Sequence, residues 1–301
     1  MKILITGDLG FVGSETKKLL VEEGHEVIGY DLMNGYDIRD HQQLDQVCQT
    51  EQPDRILHLA AIARFADADK DPKQAFETNV IGTANVVAVA KKHHIPLVYA
   101  STGSVYMPIT DFSGAIKEDW PAKGNSVYGC TKYMGELYVR EHNPHIILRY
   151  AHLYGAEKRH HGLIGGFLER INRGLAPTLY GGKQSNDFTY IADIAHANML
   201  ALTAPWDSWN SVFNIGTGEE LSAEQAGKII CQAANYQGEI EVKEQRTVDP
   251  EKFLFDVNAA RVKLGFQASY SFEEGIKDMF SLMSTPGQTS GEEQTSEQKQ
   301  K

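Results

Sequence analysis

Near its N-terminus the chain reads Ile3-Leu4-Ile5-Thr6-Gly7-Asp8-Leu9-Gly10-Phe11-Val12-Gly13, and eighteen residues beyond Gly13 stands Asp31. The opening run is continuously apolar, the pattern of a strand covered on both faces. It passes directly into a glycine-rich turn and then into a helix-patterned stretch, Phe11–Glu23. Gly7 permits a tight turn, and Gly10 lets backbone approach a pyrophosphate at the positive end of that helix. Gly13 lets the helix lie close on the sheet. Glycines alone are a weak sign, since the chain has 27 of them, and a turn without a ligand is the plainer reading. Position decides for the ligand, because the trio sits at a strand-to-helix junction and Asp31 ends the next strand, where a carboxylate accepts both ribose hydroxyls of an adenosine. Gly7, Leu9, Gly10, Phe11, Val12, Gly13 and Asp31 are therefore expected to hold a dinucleotide. A 2′-phosphate would meet a like charge at Asp31, and Leu32, Met33 and Asn34 supply no cation, so NAD is expected rather than NADP. Further on, Asp37 and Ile38 frame an adenine edge, or Asp40 caps a helix, or both.

Outward from this unit the pattern repeats. Strands are expected at Glu26–Tyr30, Arg55–Leu59, Leu97–Ser101 and Ile146–Tyr150, and helices at His41–Gln49, Pro72–His93 and Tyr128–Glu141. Strand, helix, strand in this order means right-handed parallel crossovers. The expected fold is α/β, a Rossmann-type doubly wound parallel sheet with a smaller α/β substrate-binding lobe. Residues 1–155 make the dinucleotide domain, with a later return near 185–216. Residues 156–184 and 217–283 make the second lobe, and 284–301, without a large apolar side chain, a disordered tail.

The 301 residues carry 29 basic and 40 acidic side chains, a formal net charge of -11, with 42% hydrophobic residues. Such an acidic balance argues against a nucleic-acid binder. No apolar run approaches the ~18 residues of a membrane span, and the N-terminus reaches glycine too soon for a signal peptide. Three scattered cysteines (Cys48, Cys130, Cys231) exclude a disulfide framework and suit a reducing cytoplasm. No metal site is expected: His160-His161 lacks a third ligand at a recognisable spacing and reads as a solvated loop.

Tyr128-Gly129-Cys130-Thr131-Lys132 sets a phenol and an ammonium four residues apart, on one helical face. Free tyrosine, with a pKa of ~10, is a poor base at neutral pH. A nearby lysine and a nicotinamide's positive charge both favour phenolate. The spacing alone means little, as Tyr154 and Lys158 repeat it in a loop without a partner hydroxyl. Tyr128 has such a partner in Ser101-Thr102, which end the fourth strand at the sheet edge where open α/β folds bind ligands. Without the neighbouring motifs, those two hydroxyls read as simple strand-end caps.

Taken in order with His58–Ala61, Asn79–Thr83, Leu148–Gly155, Asp187–Asp193 and Asn214–Gly218, these motifs give a chain that resembles the extended short-chain dehydrogenase/reductases, specifically the NAD-dependent epimerase/dehydratase group. The resemblance runs from Met1 to about Met283. It implies that Leu59, Ala60, Ala61, Asn79 and Ser101 line the cofactor, and that Lys132 holds the nicotinamide ribose. It implies further that Thr102 is the active-site hydroxyl and that a homodimer forms on the helix carrying Tyr128 and the preceding one. A nucleotide sugar, with UDP as the expected nucleotide, would lie against Thr102, Ser104, Tyr128, His152 and Asn186.

The group spans several reactions. Its dehydratases place an Asp-Glu pair after the threonine and its decarboxylases a glutamate, where this chain has Gly103 and Ser104. Without a carboxylate, elimination and decarboxylation lose their acid–base partner, and epimerisation at C4 through a transient 4-keto sugar remains. A reductase of a keto-sugar is the first rival, and a non-catalytic NAD-binding regulatory protein the second. Two departures concern the substrate: Asn186-Asp187-Phe188 replaces the relatives' Arg-Asp-Phe, whose arginine grips a pyrophosphate, and His152 replaces an asparagine. Arg159, Arg173, Lys183 and Arg246 are the candidate substitutes for that arginine.

Overall fold

The computed structural model describes residues 1–106, 114–124, 126–156, 162–244 and 252–284. Its centre is a six-stranded, wholly parallel sheet formed by β1 (Lys2–Thr6), β2 (Glu26–Tyr30), β3 (Arg55–His58), β4 (Leu97–Thr102), β5 (His145–Tyr150) and a late strand, Ser211–Ile215. The spatial order, starting from the late strand, is β5, β4, β3, β1 and β2, so the chain reverses its direction of winding between β1 and β3. Central strands such as β5 (HIILRY) are buried along their whole length, while β2 at the edge is half-buried. The difference follows from helices covering both faces.

The helices of the first half are α1 (Phe11–Glu22), α2 (His41–Glu51), α3 (Phe65–Lys70), α4 (Pro72–Phe76), α5 (Thr83–His93) and α6 (Val127–Arg140). The single helix expected over Pro72–His93 is broken. Asp71 caps α4 through the Gln74 amide (3.0 Å), with Pro72 in the first turn, and a wide π-type turn, Glu77–Gly82, precedes α5. Side-chain anchoring maintains the break: Asn79 bonds both backbone groups of Ile62 (2.8 and 3.0 Å), and Gly82 lies against Ile38 with no room for a Cβ. Helix α3 has no counterpart in the sequence reading, because its six residues are too few to show a period.

Later elements are β6 (His152–Tyr154), α7 (Gly162–Asn172), β7 (Thr178–Tyr180), β8 (Ser185–Asn186), β9 (Phe188–Tyr190), α8 (Ile191–Leu202) and β10 (Ser211–Ile215), the sixth strand of the main sheet. They are followed by β11 (Leu221–Ser222), α9 (Ala223–Ala233), β12 (Glu241–Lys243), β13 (Lys252–Phe253), α10 (Asn258–Leu264) and α11 (Phe272–Ser284). Short sheets pair β6 with β9, β7 with β12, and β8 with β11 and β13. A buried carboxylate ties these pieces to the main sheet. Asp187 accepts from the Thr217 amide (2.8 Å) and hydroxyl (2.7 Å) and from the Gly218 amide (3.0 Å), so the two late motifs of the sequence are one structural joint. Across the sheet, Tyr150 donates to Asn198 (2.6 Å), which donates to Thr16 (3.0 Å), locking β5, α8 and α1 together.

Candidate active site

At the carboxyl end of β1 the backbone turns with φ +75° at Gly7, where a Cβ would stand 2.8 Å from the Ala60 nitrogen. A Cβ at Gly13 would stand 2.0 Å from the Gly7 carbonyl oxygen. Helix, loop and β3 therefore approach as only glycine allows. The twelve-residue α1 begins at Gly10 without a side-chain cap and with no acidic residue in its first turn. Its first N–H groups and positive dipole end face the switch point of the sheet. Leu9 and Gly10 are exposed, Phe11 and Val12 half-buried, and Gly13 buried. This cradle fits a pyrophosphate. Asp31, half-buried at the end of β2, accepts from the Leu9 amide (3.2 Å) and the Met33 amide (2.9 Å), so it stands at the rim of the same loop. Leu59, Ala60 and Ala61 continue from β3 beside Gly7, half-buried, with the Ala60 amide bonded to Thr6 (3.3 Å).

Other residues expected at the cofactor have different surroundings. Asp37 is clasped by Arg39 (2.6 and 3.0 Å), which holds its carboxyl below the usual range, and Ile38 is 4% exposed, its side chain turned into the core. Asp37 lines an open surface cavity together with Arg39, Asp40 and Glu77, and Asp40 also caps α2 through the Gln43 amide (3.0 Å). The Asn79 amide is wholly occupied by Ile62 and Thr131. It braces the loop after β3 from behind. Ser101 donates to the buried Glu136 (2.6 Å), not to anything in the cleft.

Helix α6 carries the phenol and the amine. Ser126 caps it through the Gly129 amide (3.0 Å), and Tyr128 and Lys132, one turn apart, both lie on its buried face. The Tyr128 hydroxyl interacts with that of Thr102 at the end of β4. Thr102 in turn lies 3.2 Å from the Ser104 hydroxyl and accepts from the Ser104 amide (3.1 Å). In the cofactor-free protein burial dominates at Tyr128 and pushes the phenol up to about 12, against a smaller pull down from Thr102. The Lys132 ammonium sits 4.1 Å from the centre of the Tyr99 ring, and burial lowers Lys132 to about 7 against the attraction of Glu136.

Glu136, one further turn along α6, was not anticipated, although Tyr128, Lys132 and Glu136 follow the same four-residue spacing. It is fully buried and meets Arg149 through both oxygens (2.9 and 2.7 Å). Arg149 also donates to Tyr106 (2.6 Å), and Tyr106 to Asn214 (2.9 Å). This chain fixes the 103–106 turn that bears Ser104. Phe253 was missed as well, having no motif around it. A Cβ on Gly103 would stand 2.3 Å from its ring, so the ring fills the place of a side chain at position 103.

His152 packs edge-on against Phe253 (5.1 Å between ring centres) and beside Phe188 (6.1 Å). It is solvent-exposed although protein surrounds it, the situation of a cleft wall, and those surroundings push its imidazole pKa down. Asn186 is half-buried and pairs in register with Phe253 and Leu221. Lys183 is exposed and Arg173 pairs with Glu169 (3.0 Å). Lys158, Arg159, His160, His161, Arg246 and residues 285–301 lie outside the described residues. Tyr154 is buried, with its hydroxyl on the Phe272 carbonyl (3.3 Å), and is a core residue.

Residues 3–216 match the model of the NAD dependent epimerase/dehydratase family. The chain belongs to this family. A Methanocaldococcus jannaschii protein with a provisional UDP-glucose 4-epimerase name is 30% identical over 95% of this chain and 100% of its own length. The crystal structure of Thermotoga maritima UDP-glucose 4-epimerase with UDP-glucose superposes with a TM-score of 0.85 at 29% identity, covering 94% of this chain and 98% of that one. Thermus thermophilus UDP-glucose 4-epimerase, solved with NAD, gives 0.79 at 28% identity, covering 93% and 98%. The glycine cradle after β1 and the Tyr128–Thr102 pair at the end of β4 stand on one carboxyl edge of the sheet, with β3 between them.

Proposed function

We propose that this protein is an NAD-dependent nucleotide-sugar epimerase that inverts C4 of a UDP-hexose through a transient 4-keto sugar. The observation that carries this reading is the pairing of Tyr128 with Thr102 beside a turn, Gly103-Ser104, that bears no carboxylate. Tyr128 and Thr102 would serve as a proton shuttle, and the turn offers no acid–base pair of the kind that loss of water or carbon dioxide requires. The epimerase names of the similar proteins support the same choice.

The residues Gly7 to Gly13, Asp31 and Leu59 to Ala61 would hold NAD, with Lys132 on its ribose. NAD, when bound, supplies the oxidising and then reducing power at the sugar carbon. Tyr128 accepts the 4-hydroxyl proton and later returns it. Its high pKa in the cofactor-free protein keeps it a neutral phenol until a positive charge arrives nearby. Thr102 hydrogen-bonds the same sugar oxygen and steadies the developing oxyanion. Ser104, His152 and Asn186 would line the path toward the nucleotide, and we assign residues 156–184 and 217–283 to the smaller substrate-binding lobe. Met134, Leu137 and Tyr138 are exposed on one face of α6, at 43, 49 and 45%. A patch of this kind on a helix marks an association surface, and we assign it to a homodimer. Three free cysteines, two of them buried, suit a reducing cytoplasm.

The test is purified protein supplied separately with UDP-glucose and UDP-galactose and no added NADH. Each is expected to convert to the same mixture without net consumption of cofactor. No interconversion, with stoichiometric consumption of NADH once NADH and a keto-sugar are supplied, would identify a reductase instead.

A further inference from the structure

An epimerase of this kind faces a demand that a dehydrogenase does not. Its flat ketone must turn over inside the site, which needs room, and must not leave before it is reduced again. Behind Tyr128 lies a small apolar cluster of Ala68, Ala75, Ile62 and Val127, and in front of it stand Thr102 and Ser104. Another neighbour is Phe65. Its ring meets the Tyr128 ring edge to face, 5.3 Å between centres and 72° between planes, yet 48% of Phe65 is exposed. Phe65 therefore combines contact with the phenol ring and an open surface. Phe65 opens α3, whose attachment in the core is the single buried residue Ala68 and whose first turn lacks a side-chain cap. An element so lightly held can swing aside to admit substrate and return.

We propose that Phe65 is the retaining residue of the reaction, an aromatic cover that closes over the hexose beside Tyr128 and keeps the 4-keto sugar in place between its two half-reactions. The proposal rests on the epimerase reading above. An apolar ring can lie flat against the C–H face of a pyranose while leaving it free to turn. It forms no hydrogen bond that would pin one orientation. The chemistry balances as follows. When the ketone forms, two electrons and one proton pass together to the cofactor and the second proton to Tyr128. When it is reduced in place, all are returned. If it escapes, the medium gains a ketone, and the protein is left with reduced cofactor and a protonated phenol, unable to begin again.

The experiment compares wild type, Phe65→Ala, Phe65→Leu and Phe65→Tyr, with NAD in excess and UDP-glucose as substrate. Hydroxylamine in the medium captures released ketone as its oxime for mass spectrometry. Phe65→Ala is expected to release several-fold more oxime per epimerisation, with a matching rise in NADH absorbance and progressive loss of activity. Phe65→Tyr is expected to behave as wild type. Phe65→Leu, which keeps an apolar side chain but loses the ring, secures the result if the alanine variant does not fold. A second readout uses cofactor-free protein: nitration of Tyr128 by tetranitromethane, located by peptide mass mapping, should run faster in both ring-deleted variants. Unchanged escape or unchanged nitration overturns the proposal. Failure of the wild type to interconvert UDP-glucose and UDP-galactose would instead remove the epimerase reading, while nitration would still decide whether Phe65 covers Tyr128.

Discussion

Tyr128 and Lys132 show how burial sets the chemistry of single residues. The phenol stands at about 12 because the protein around it disfavours a charge, and only the Thr102 hydroxyl leans the other way. Replacing the hydroxyl, as in Tyr128→Phe, should abolish turnover while NAD still binds, which equilibrium dialysis would check. Near-normal activity would refute the role. Lys132 is held at about 7, below the ordinary 10.5, so the unfolded chain binds its proton more readily than the folded one between those values. Its contribution to stability is therefore full above pH 10.5 and is lost as pH falls toward 7. Lys132→Met is expected to be inactive yet more heat-stable at neutral pH, with the difference from wild type shrinking as pH rises. Melting curves at several pH values measure this. Lys132 and Tyr128 could be chosen from spacing alone. That burial dominates at both could not, because the depth of a side chain is a property of the folded surroundings.

At the scale of elements, the strand–turn–helix at the N-terminus is held by close approaches that only glycine tolerates. Gly13→Ala would drive a Cβ to 2.0 Å from the Gly7 oxygen. We expect a loss of about 3 kcal/mol, toward the upper end for overpacking, and weaker NAD binding, readable by denaturant titration and calorimetry. His58 at the end of β3 lies between Thr6 (2.7 Å) and Thr83 (2.9 Å), and burial lowers it to about 3. The unfolded chain binds its proton first, so this share of stability is present above pH 6.5 and disappears as pH falls toward 3. The difference in stability between wild type and His58→Asn should narrow across that window in acid titrations. Periodicity exposed these strands and helices because each is long enough to show it. The break at Glu77–Gly82 and the helix of Phe65 escaped notice because their causes, Asn79 gripping Ile62 and Ala68 packing under Tyr128, join residues far apart in the chain.

For the whole molecule, the doubly wound sheet was readable from alternation and the return of the chain near 185–216 was expected, while the pairing of Ser211–Ile215 with β5 as its sixth strand follows a register no local pattern announces. Asp187 and Gly216 were visible only as motif residues. The fold shows the reason for them, since a Cβ at Gly216 would stand 2.5 Å from the Asp187 carboxylate. The exposed face of α6 belongs to this scale too. Leu137→Glu is expected to convert a dimer to a monomer in sedimentation experiments, leaving the fold intact. The account as a whole requires that the glycine loop after β1 and the phenol on α6 serve one ligand pair. A crystal structure with NAD and UDP-glucose tests this most directly. The pyrophosphate is predicted on the first turn of α1, and the Tyr128 oxygen within about 2.6–3.2 Å of the sugar 4-oxygen. A dinucleotide bound away from Gly7–Gly13, or a sugar out of reach of Tyr128, would contradict it.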